Sequence, residues 1–264
     1  MDKFAWKKSF EEELMKKSTD VTTKPIKHKK IRSPYSPIIH REKIASWFFK
    51  ALQTAYWLEG AYKKPRDLTI LTISNYKEKS LFEESLEYLG IKSYVVLNEP
   101  FEGPWRHTLK IRFILNYLHS GKCKTKYILY CDARDCILRD DPKVVLNLFK
   151  EHPADLVFCS TGSKRRFNLI PEIFEWTKTV APKSGRYLNA GAFIGTTEFI
   201  LEVFEEAILH TDPNSIFKEG AIRLVDDLPE FPEGYCDQVL LRYLHKQFYP
   251  RMDVDYINRI FYRN

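Results

Sequence analysis

The sequence has no long apolar segment and only a few cysteines. No stretch of about 18 or more apolar residues occurs in the 264 residues, so no membrane-spanning helix is predicted. The first 17 residues are charged throughout and lack the apolar core of a secretory signal peptide. The five cysteines include no CxxC pair, and none lies near a histidine at zinc-finger spacing, which argues against a structural zinc site. We therefore expect buried free thiols in a cytoplasmic protein.

The positive charge of the chain is concentrated at its beginning. The net charge is +7, yet residues 1–66 alone contain 16 lysines and arginines against 7 acidic residues. The centre of this excess is the run from Lys24 to Arg32. Such a patch attracts polyanions, among them nucleic acid, phosphorylated glycans and membrane surfaces, although a solvated arm without a partner has the same composition. We expect residues 1–66 to form a basic extension, an arm plus a helix, that packs on a second unit comprising residues 67–264.

The pattern changes at Asp67, where strands and helices begin to alternate. Apolar runs at 68–74, 93–98 and 126–131 predict strands, and helical spacing at 77–89 and 109–118 predicts the helices between them. This order predicts an α/β fold with a mostly parallel sheet flanked by helices, on which ligands bind beyond the carboxyl ends of the strands. Further predictions are helices at 44–58, 142–150, 170–179, 198–209 and 237–246, a strand at 154–160, and a loop running into a strand at 188–195.

Two carboxylates follow the third predicted strand of this series. The run YILYCDARDCIL (127–138) leads directly into Asp132 and Asp135. Acidic groups at the end of a buried strand are unfavourable without a partner, and Mg²⁺ or Mn²⁺ is a natural one because both ions take oxygen ligands and bridge to phosphates. Alternatively, the two carboxylates cap a turn or pair with Arg134 or Arg139.

Two later segments combine polar side chains with small residues. Gly191 permits close approach of the backbone to a ligand, and Asn189 can both donate to and accept from sugar hydroxyls. Asn-Ala-Gly is also an ordinary turn sequence. Asp237, at the start of a predicted helix, is compatible with a helix N-cap, with a sugar contact, or with both.

These segments together resemble GT-A glycosyltransferases, and above all the glycosyltransferase domain of the lysyl hydroxylase and procollagen glycosyltransferase group. The resemblance extends over about residues 68–264. The segments that carry it, in chain order, are LTISN (71–75), HTLKIRFIL (107–115), YILYCDARDCIL (127–138), YLNAGAFIG (187–195), YCDQVLL (235–241) and VDYINRIF (254–261). Two positions depart from the family pattern: Tyr256 stands where the family has a metal-binding histidine, and Cys236 replaces the first acidic residue of its "DDQ" helix start.

The resemblance implies a metal-dependent transferase that uses a nucleotide-sugar, expected to be a UDP-sugar. Asp132 and Asp135 would bind Mn²⁺ or Mg²⁺, and either Asp255 or a water molecule would replace the missing histidine. Asp237 and Asn189 would be catalytic, with Asp237 near the anomeric carbon as a base or an electrostatic stabiliser. The remaining donor contacts implied by the resemblance are Ile73, Ser74 and Asn75 around the base and ribose, and Lys110, Ala133, Asn189, Ala190 and Gly191 around the diphosphate or sugar.

The acceptor is left open by the sequence. A cytoplasmic hydroxyl acceptor is expected, such as a growing glycan or a lipid-linked sugar. The basic extension also fits a hydroxymethylated base in DNA, as in a virus-infected cell, because lysine and arginine contacts to phosphates supply most non-specific affinity. A second alternative, favoured by Tyr256 and Cys236, is a non-catalytic GT-A-like module that binds nucleotides or nucleic acid. No glycine-rich phosphate loop with its lysine follows the first strand of the α/β unit, which argues against a nucleotidyltransferase.

Overall fold

The structure is a computed structural model that describes residues 38–40, 62–101, 105, 107–164, 170–181, 186–209 and 236–262. Within these residues the strands are β1 (Ile38–His40), β2 (Leu68–Ile73), β3 (Val95–Leu97), β4 (Tyr127–Cys131), β5 (Cys136–Leu138), β6 (Leu156–Thr161), β7 (Tyr187–Thr196), β8 (Met252–Val254) and β9 (Phe261–Tyr262). The helices are α1 (Leu81–Tyr88), α2 (Leu109–His119), α3 (Pro142–Lys150), α4 (Pro171–Val180), α5 (Thr197–Leu209) and α6 (Asp237–Phe248). The predicted helix at 44–58 and the run from Lys24 to Arg32 lie outside the described residues.

A six-stranded sheet forms the centre of the molecule. Its strand order is β3-β2-β4-β7-β6-β8, and β7 is antiparallel to both of its neighbours whereas the other neighbouring pairs are parallel. The carboxyl ends of β2, β4, β6 and β8 and the amino end of β7 therefore lie along one edge of the sheet. The predicted α/β class with a mostly parallel sheet is confirmed.

Alternating side chains of the central strands face two different helix layers. Leu71 and Ile73 of β2 and Ile128 and Tyr130 of β4 pack in the apolar cluster that includes α2, α5 and α6. Leu129 of β4, like Leu68 and Ile70 of β2, packs on the opposite face with α1 and α3. Each fully buried leucine or isoleucine contributes about 1.5–3 kcal/mol, so both layers stabilise the sheet. Because successive side chains of a strand point to opposite faces, Asp132 continues from β4 on the α2 side, as Tyr130 does.

Helix α1 begins later than the sequence pattern predicts. Ser80 is its N-cap: the Ser80 hydroxyl accepts a hydrogen bond from the Glu83 amide, and the Glu83 carboxylate accepts one from the Ser80 amide at 2.9 Å. This capping box places the helix start at Leu81, so the predicted start at Lys77 is wrong. Gly90 follows the helix with φ of 77°, as expected for a glycine just past a helix C-terminus.

The segment at 188–195 is a strand throughout. The predicted strand is confirmed, whereas the loop predicted to precede it is wrong. Strand β7 pairs with β4 on one side and with β6 on the other, with a register shift between Phe158 and Cys159. A Cβ atom at Gly195 would lie 2.8 Å from the Asp155 carbonyl oxygen, so the close strand packing requires glycine there. Four short strands, β1, β5, β8 and β9, were not predicted.

Residues 38–40 connect part of the basic extension to the rest of the molecule. Strand β1 pairs with β5 antiparallel and with β9 parallel in a separate three-stranded sheet. Ile38 is fully buried in the same cluster as α1 and α3.

All five cysteines are described and are free thiols, three of them buried and two, Cys123 and Cys236, half-buried. Among the helices of the described ranges, none combines the length and the apolar character needed to cross a membrane.

Candidate functional site

A cleft of about 570 Å³ opens at the carboxyl edge of the sheet, where β2 and β4 end. Its size falls within the range of about 300–1,000 Å³ that is usual for small-molecule sites. It is lined by Ile73, Asn75, Tyr76, Trp105, His107, Lys110, Tyr130, Asp132, Ala133, Arg134 and Asp135. The sequence-predicted residues Ile73, Asn75, Lys110, Asp132, Ala133 and Asp135 are thus brought together.

The turn that carries the two carboxylates is anchored on both sides. The Asp132 amide donates a hydrogen bond to the Gly191 carbonyl oxygen of β7 at 2.7 Å, and the Phe82 amide of α1 donates to the Ala133 carbonyl oxygen at 3.1 Å. The Tyr130 hydroxyl donates to Asp132 Oδ1 at 2.8 Å. Asp132 keeps 30% of its side-chain surface exposed and Asp135 is half-buried, so both carboxylates are accessible from the cleft.

Lys110 brings a buried positive charge to the floor of the cleft. Its Nζ atom lies 3.0 Å from Asp132 Oδ1 and 2.7 Å from Asp237 Oδ2, and it donates a hydrogen bond to the Ala190 carbonyl oxygen at 3.1 Å. The same atom lies 5.1 Å from the centre of the Tyr130 ring. A buried ammonium is stable only with such partners, and here it receives them from β4, β7 and α6.

The electrostatic environment keeps Lys110 charged and Tyr130 neutral. Burial lowers the pKa of the Lys110 ammonium, but Asp132 and Asp237 raise it by more, so the pKa lies well above its ordinary value. Burial raises the pKa of the Tyr130 phenol well above its ordinary value, and the neighbouring Asp132 adds to this effect. Tyr130 is therefore a hydrogen-bond donor to Asp132 at neutral pH, and Lys110 is a permanent cation.

Asp237 is the first residue of α6, and Cys236 is the N-cap, which makes no side-chain cap hydrogen bond. The interpretation of Asp237 as the N-cap is therefore wrong. Its Oδ1 atom accepts a hydrogen bond from the Gln238 amide at 2.8 Å, and a carboxylate in the first turn interacts favourably with the helix dipole. The side chain is only 6% exposed and does not line the cleft; Lys110 connects it to Asp132.

Asn189 and its neighbours lie behind the cleft. Asn189 Oδ1 accepts a hydrogen bond from the Gly191 amide at 3.0 Å, and Asn189 Nδ2 donates to Gln238 Oε1 at 2.7 Å. The side chain is 5% exposed. Asn189 thus joins β7 to the start of α6, while Ala190 and Gly191 present their carbonyl oxygens to Lys110 and to the Asp132 amide.

At the other end of the cleft, Asn75 lies near aromatic and cationic side chains. Sequence reasoning did not select these side chains as site residues. The guanidinium carbon of Arg134 lies 3.8 Å from the centre of the Tyr76 ring, and Tyr76 is 47% exposed. Trp105 and His107 also line this region. The position of Tyr76 three residues after the end of β2 was a usable sequence signal. Ser74 is buried, and its hydroxyl has no hydrogen-bond partner among the described residues.

Asp255 lies away from the two cleft carboxylates. Strands β4 and β8 are three inter-strand spacings apart, which corresponds to about 14 Å. Both Asp255 oxygens accept hydrogen bonds from backbone amides, those of Arg259, Ile260 and Phe261, at 2.7–2.8 Å. Tyr256 is likewise packed in the core rather than lining the cleft.

No group of three or more histidine, cysteine or acidic side chains in the described ranges is arranged to hold a metal ion. Asp132 and Asp135 nevertheless provide the oxygen donors that Mg²⁺ and Mn²⁺ prefer. One or two carboxylates suffice for such ions when substrate phosphates and water complete the coordination. The residues present therefore fit a cation that binds together with a phosphorylated ligand.

A family described as the PLOD GT domain matches residues 64–217, more than half of the chain. The matched segment begins before β2 and includes Lys110, Asp132, Asp135 and β7, and it ends before Asp237. No curated protein matches the sequence. The matched segment contains the acidic turn at the carboxyl edge of the mostly parallel sheet. The chain therefore belongs to the PLOD glycosyltransferase domain family and is a glycosyltransferase, an enzyme of EC class 2.4.

Proposed function

We propose that this glycosyltransferase moves a sugar from a UDP-sugar to a hydroxyl acceptor and depends on Mn²⁺ or Mg²⁺. The observation that carries the proposal is the cleft itself, in which Asp132, Asp135 and Lys110 lie together at the carboxyl ends of β2 and β4. This is the edge at which open α/β sheets bind ligands.

Asp132 and Asp135 are the proposed cation ligands, and Asp255 is not included because three backbone amides occupy its oxygens. When bound, the divalent cation would supply Lewis-acid stabilisation of the departing diphosphate. The Tyr130 hydroxyl holds the Asp132 carboxylate in place, and the hydrogen bond to Gly191 fixes its backbone.

The end of β2 is the proposed site of the base and ribose. Ile73 offers an apolar surface, Asn75 offers an amide that both donates and accepts, and Tyr76 offers an exposed ring. Stacking on an aromatic face suits any planar base and contributes about 1–3 kcal/mol. Ser74 supports this wall from behind through its amide, which donates to the Leu97 carbonyl oxygen at 3.1 Å.

Asp237 is proposed to stabilise positive charge rather than to act as a base. In the transfer, the bond between the anomeric carbon and the diphosphate oxygen breaks and its electrons leave with the diphosphate. The acceptor oxygen forms the new bond to the anomeric carbon, and its proton passes to the departing diphosphate or to water. Positive charge develops on the sugar ring, and a nearby carboxylate stabilises it. Asp237 is buried behind the cleft and ion-paired with Lys110, so its charge would act on the sugar from a distance rather than by direct contact or proton uptake. Asn189 is proposed to act indirectly, by fixing the position of the start of α6 relative to β7 through its hydrogen bond to Gln238.

The test is release of UDP from a panel of UDP-sugars with Mn²⁺, in the presence and absence of candidate acceptors. Asp132→Asn and Asp135→Asn are each expected to reduce the rate about a hundredfold or more, because each removes a charged ligand of the cation that would stabilise the departing diphosphate. Asp67→Asn is the matched control, since Asp67 is a surface aspartate paired with Lys150 outside the cleft. Full activity of either cleft variant, or of the wild type in excess EDTA, would contradict the proposed site.

The cytoplasmic acceptor and the hydroxymethylated DNA base both stay predictions. Most of the basic extension lies outside the described residues, and the cleft itself offers no observation that favours DNA. An electrophoretic mobility shift series from low to high salt separates the two, because DNA binding through lysine and arginine weakens steeply with salt. Absence of a shift at low salt would eliminate the DNA acceptor. The family match favours an enzyme over a non-catalytic module.

A further inference from the structure

The ammonium of Lys110 is surrounded by three oxygen atoms, which equals its number of N–H donors. These are Asp132 Oδ1 at 3.0 Å, Asp237 Oδ2 at 2.7 Å and the Ala190 carbonyl oxygen at 3.1 Å. Lys110 is 5% exposed, so bulk water contributes little to this arrangement. Within the protein the ammonium therefore has two ion-pair contacts and one hydrogen bond.

One of these partners is also a proposed cation ligand. Asp132 Oδ1 contacts both the Lys110 ammonium and the Tyr130 hydroxyl. A divalent cation at Asp132 must therefore share this carboxylate with the Lys110 ammonium, whose Nζ atom lies 3.0 Å from Oδ1. Two cations that contact one carboxylate repel each other in a partly buried site, so Lys110 opposes binding of a cation alone.

A nucleotide diphosphate changes this balance. Its negative charge attracts both the ammonium and the divalent cation, so it offsets the repulsion between them. Resting on the proposed function, we infer that Lys110 makes cation binding conditional on nucleotide. Lys110 lowers the affinity of the nucleotide-free protein for Mn²⁺ and so favours binding of Mn²⁺ and the diphosphate together.

Cooperation between Mn²⁺ and UDP is not diagnostic by itself, because UDP brings oxygen ligands of its own. The distinguishing consequence is the behaviour of the nucleotide-free protein. Removing the positive charge of Lys110 is expected to increase Mn²⁺ affinity there, whereas a lysine that merely supports the fold would leave this affinity unchanged or reduce it. Lys110 is thus a positioning residue that acts through Asp132.

The variants must avoid an uncompensated charge at Asp237, which is 6% exposed. Loss of one partner of a buried pair is strongly destabilising, so both members are neutralised together. Two variants are compared: the single variant Asp237→Asn, and the double variant with Asp237→Asn and Lys110→Met. Asp237→Asn with Lys110→Arg keeps the positive charge and serves as a second control. Mn²⁺ binding is measured from the electron paramagnetic resonance signal of free Mn²⁺, without nucleotide.

The double variant with Lys110→Met is expected to bind Mn²⁺ at least about tenfold more tightly than the single variant Asp237→Asn. The variant with Lys110→Arg should stay close to Asp237→Asn, and a further Asp132→Asn change should remove the gain. Equal Mn²⁺ affinity with and without the lysine charge overturns the inference and leaves the proposed function standing. If the wild type binds no Mn²⁺ even with UDP, the proposed function fails, and the inference fails with it.

Discussion

Replacing Lys110 with methionine tests whether the buried charge cluster is as tightly coupled as its distances indicate. The change removes the charge but keeps an unbranched side chain of similar length. Asp132 is 30% exposed and can be hydrated, whereas Asp237 is 6% exposed and loses the ion pair that compensates its burial. Breaking a buried pair from one side costs about 3–5 kcal/mol, so the free energy of unfolding of Lys110→Met should fall by about that amount.

Urea unfolding followed by circular dichroism measures this loss, and Asp237→Asn completes a double-mutant cycle. The variant with both changes has no unpaired buried charge at Asp237 and should recover at least about 1.5 kcal/mol relative to Lys110→Met, since contacting partners are coupled by about 0.5–3 kcal/mol. A loss below about 1 kcal/mol in Lys110→Met, or strictly additive losses in the cycle, would refute the coupling inferred from the structure.

Three further predictions concern pH, packing and a helix start. Asp132 and Asp237 raise the pKa of Lys110 in the folded state. The contribution of Lys110 to the free energy of unfolding should therefore be constant below the ordinary lysine pKa of about 10.4 and fall only as the pH rises beyond that value. A Lys110-dependent fall in the free energy of unfolding between pH 7 and 9 would contradict this. Gly195→Ala would place a Cβ atom 2.8 Å from the Asp155 carbonyl oxygen and should lower the free energy of unfolding by about 1–3 kcal/mol, measured by urea titration. An unchanged midpoint of urea unfolding would show that the strands can move apart to make room. Ser80→Ala removes the capping box of α1 and should lower the free energy of unfolding by about 1 kcal/mol. The control is Ser120→Ala, the same substitution just beyond the end of α2, which should lower it by less.

The central strands and the acidic turn were predictable because their signals are local. An apolar run rich in β-branched residues becomes β2, and an apolar and aromatic run becomes β4. The two carboxylates follow the end of β4, as expected. The position of ligands at this edge follows from strand direction alone. Asp132 and Asp135 were therefore found by position as well as by resemblance.

The partners of Lys110 were not predictable in the same way. Lys110 was selected through the family resemblance, and nothing in its own segment indicates that it contacts both Asp132 and Asp237. These residues lie on three elements that are distant in sequence and meet only through packing. The contact between Tyr76 and Arg134 was missed for the same reason.

Strand β7 and Asp255 illustrate two different failures of local reasoning. The Asn-Ala-Gly segment has low strand propensity, but pairing on both sides overrides that preference. Asp255 was considered as a ligand because of the neighbouring Tyr256. Its carboxylate instead accepts hydrogen bonds from the amides four to six residues later, and these contacts depend on how the chain folds after β8.

The position of bound Mn²⁺ is the most direct test of the proposed site. Crystals of the wild-type protein grown with UDP and Mn²⁺ would be measured at a wavelength at which manganese scatters anomalously. The account predicts an anomalous peak in the cleft, in contact with the carboxylates of Asp132 and Asp135 at about 2.0–2.2 Å, with the diphosphate on its other side. A nucleotide bound in the cleft without such a peak, or a peak at Asp255 instead, would contradict it.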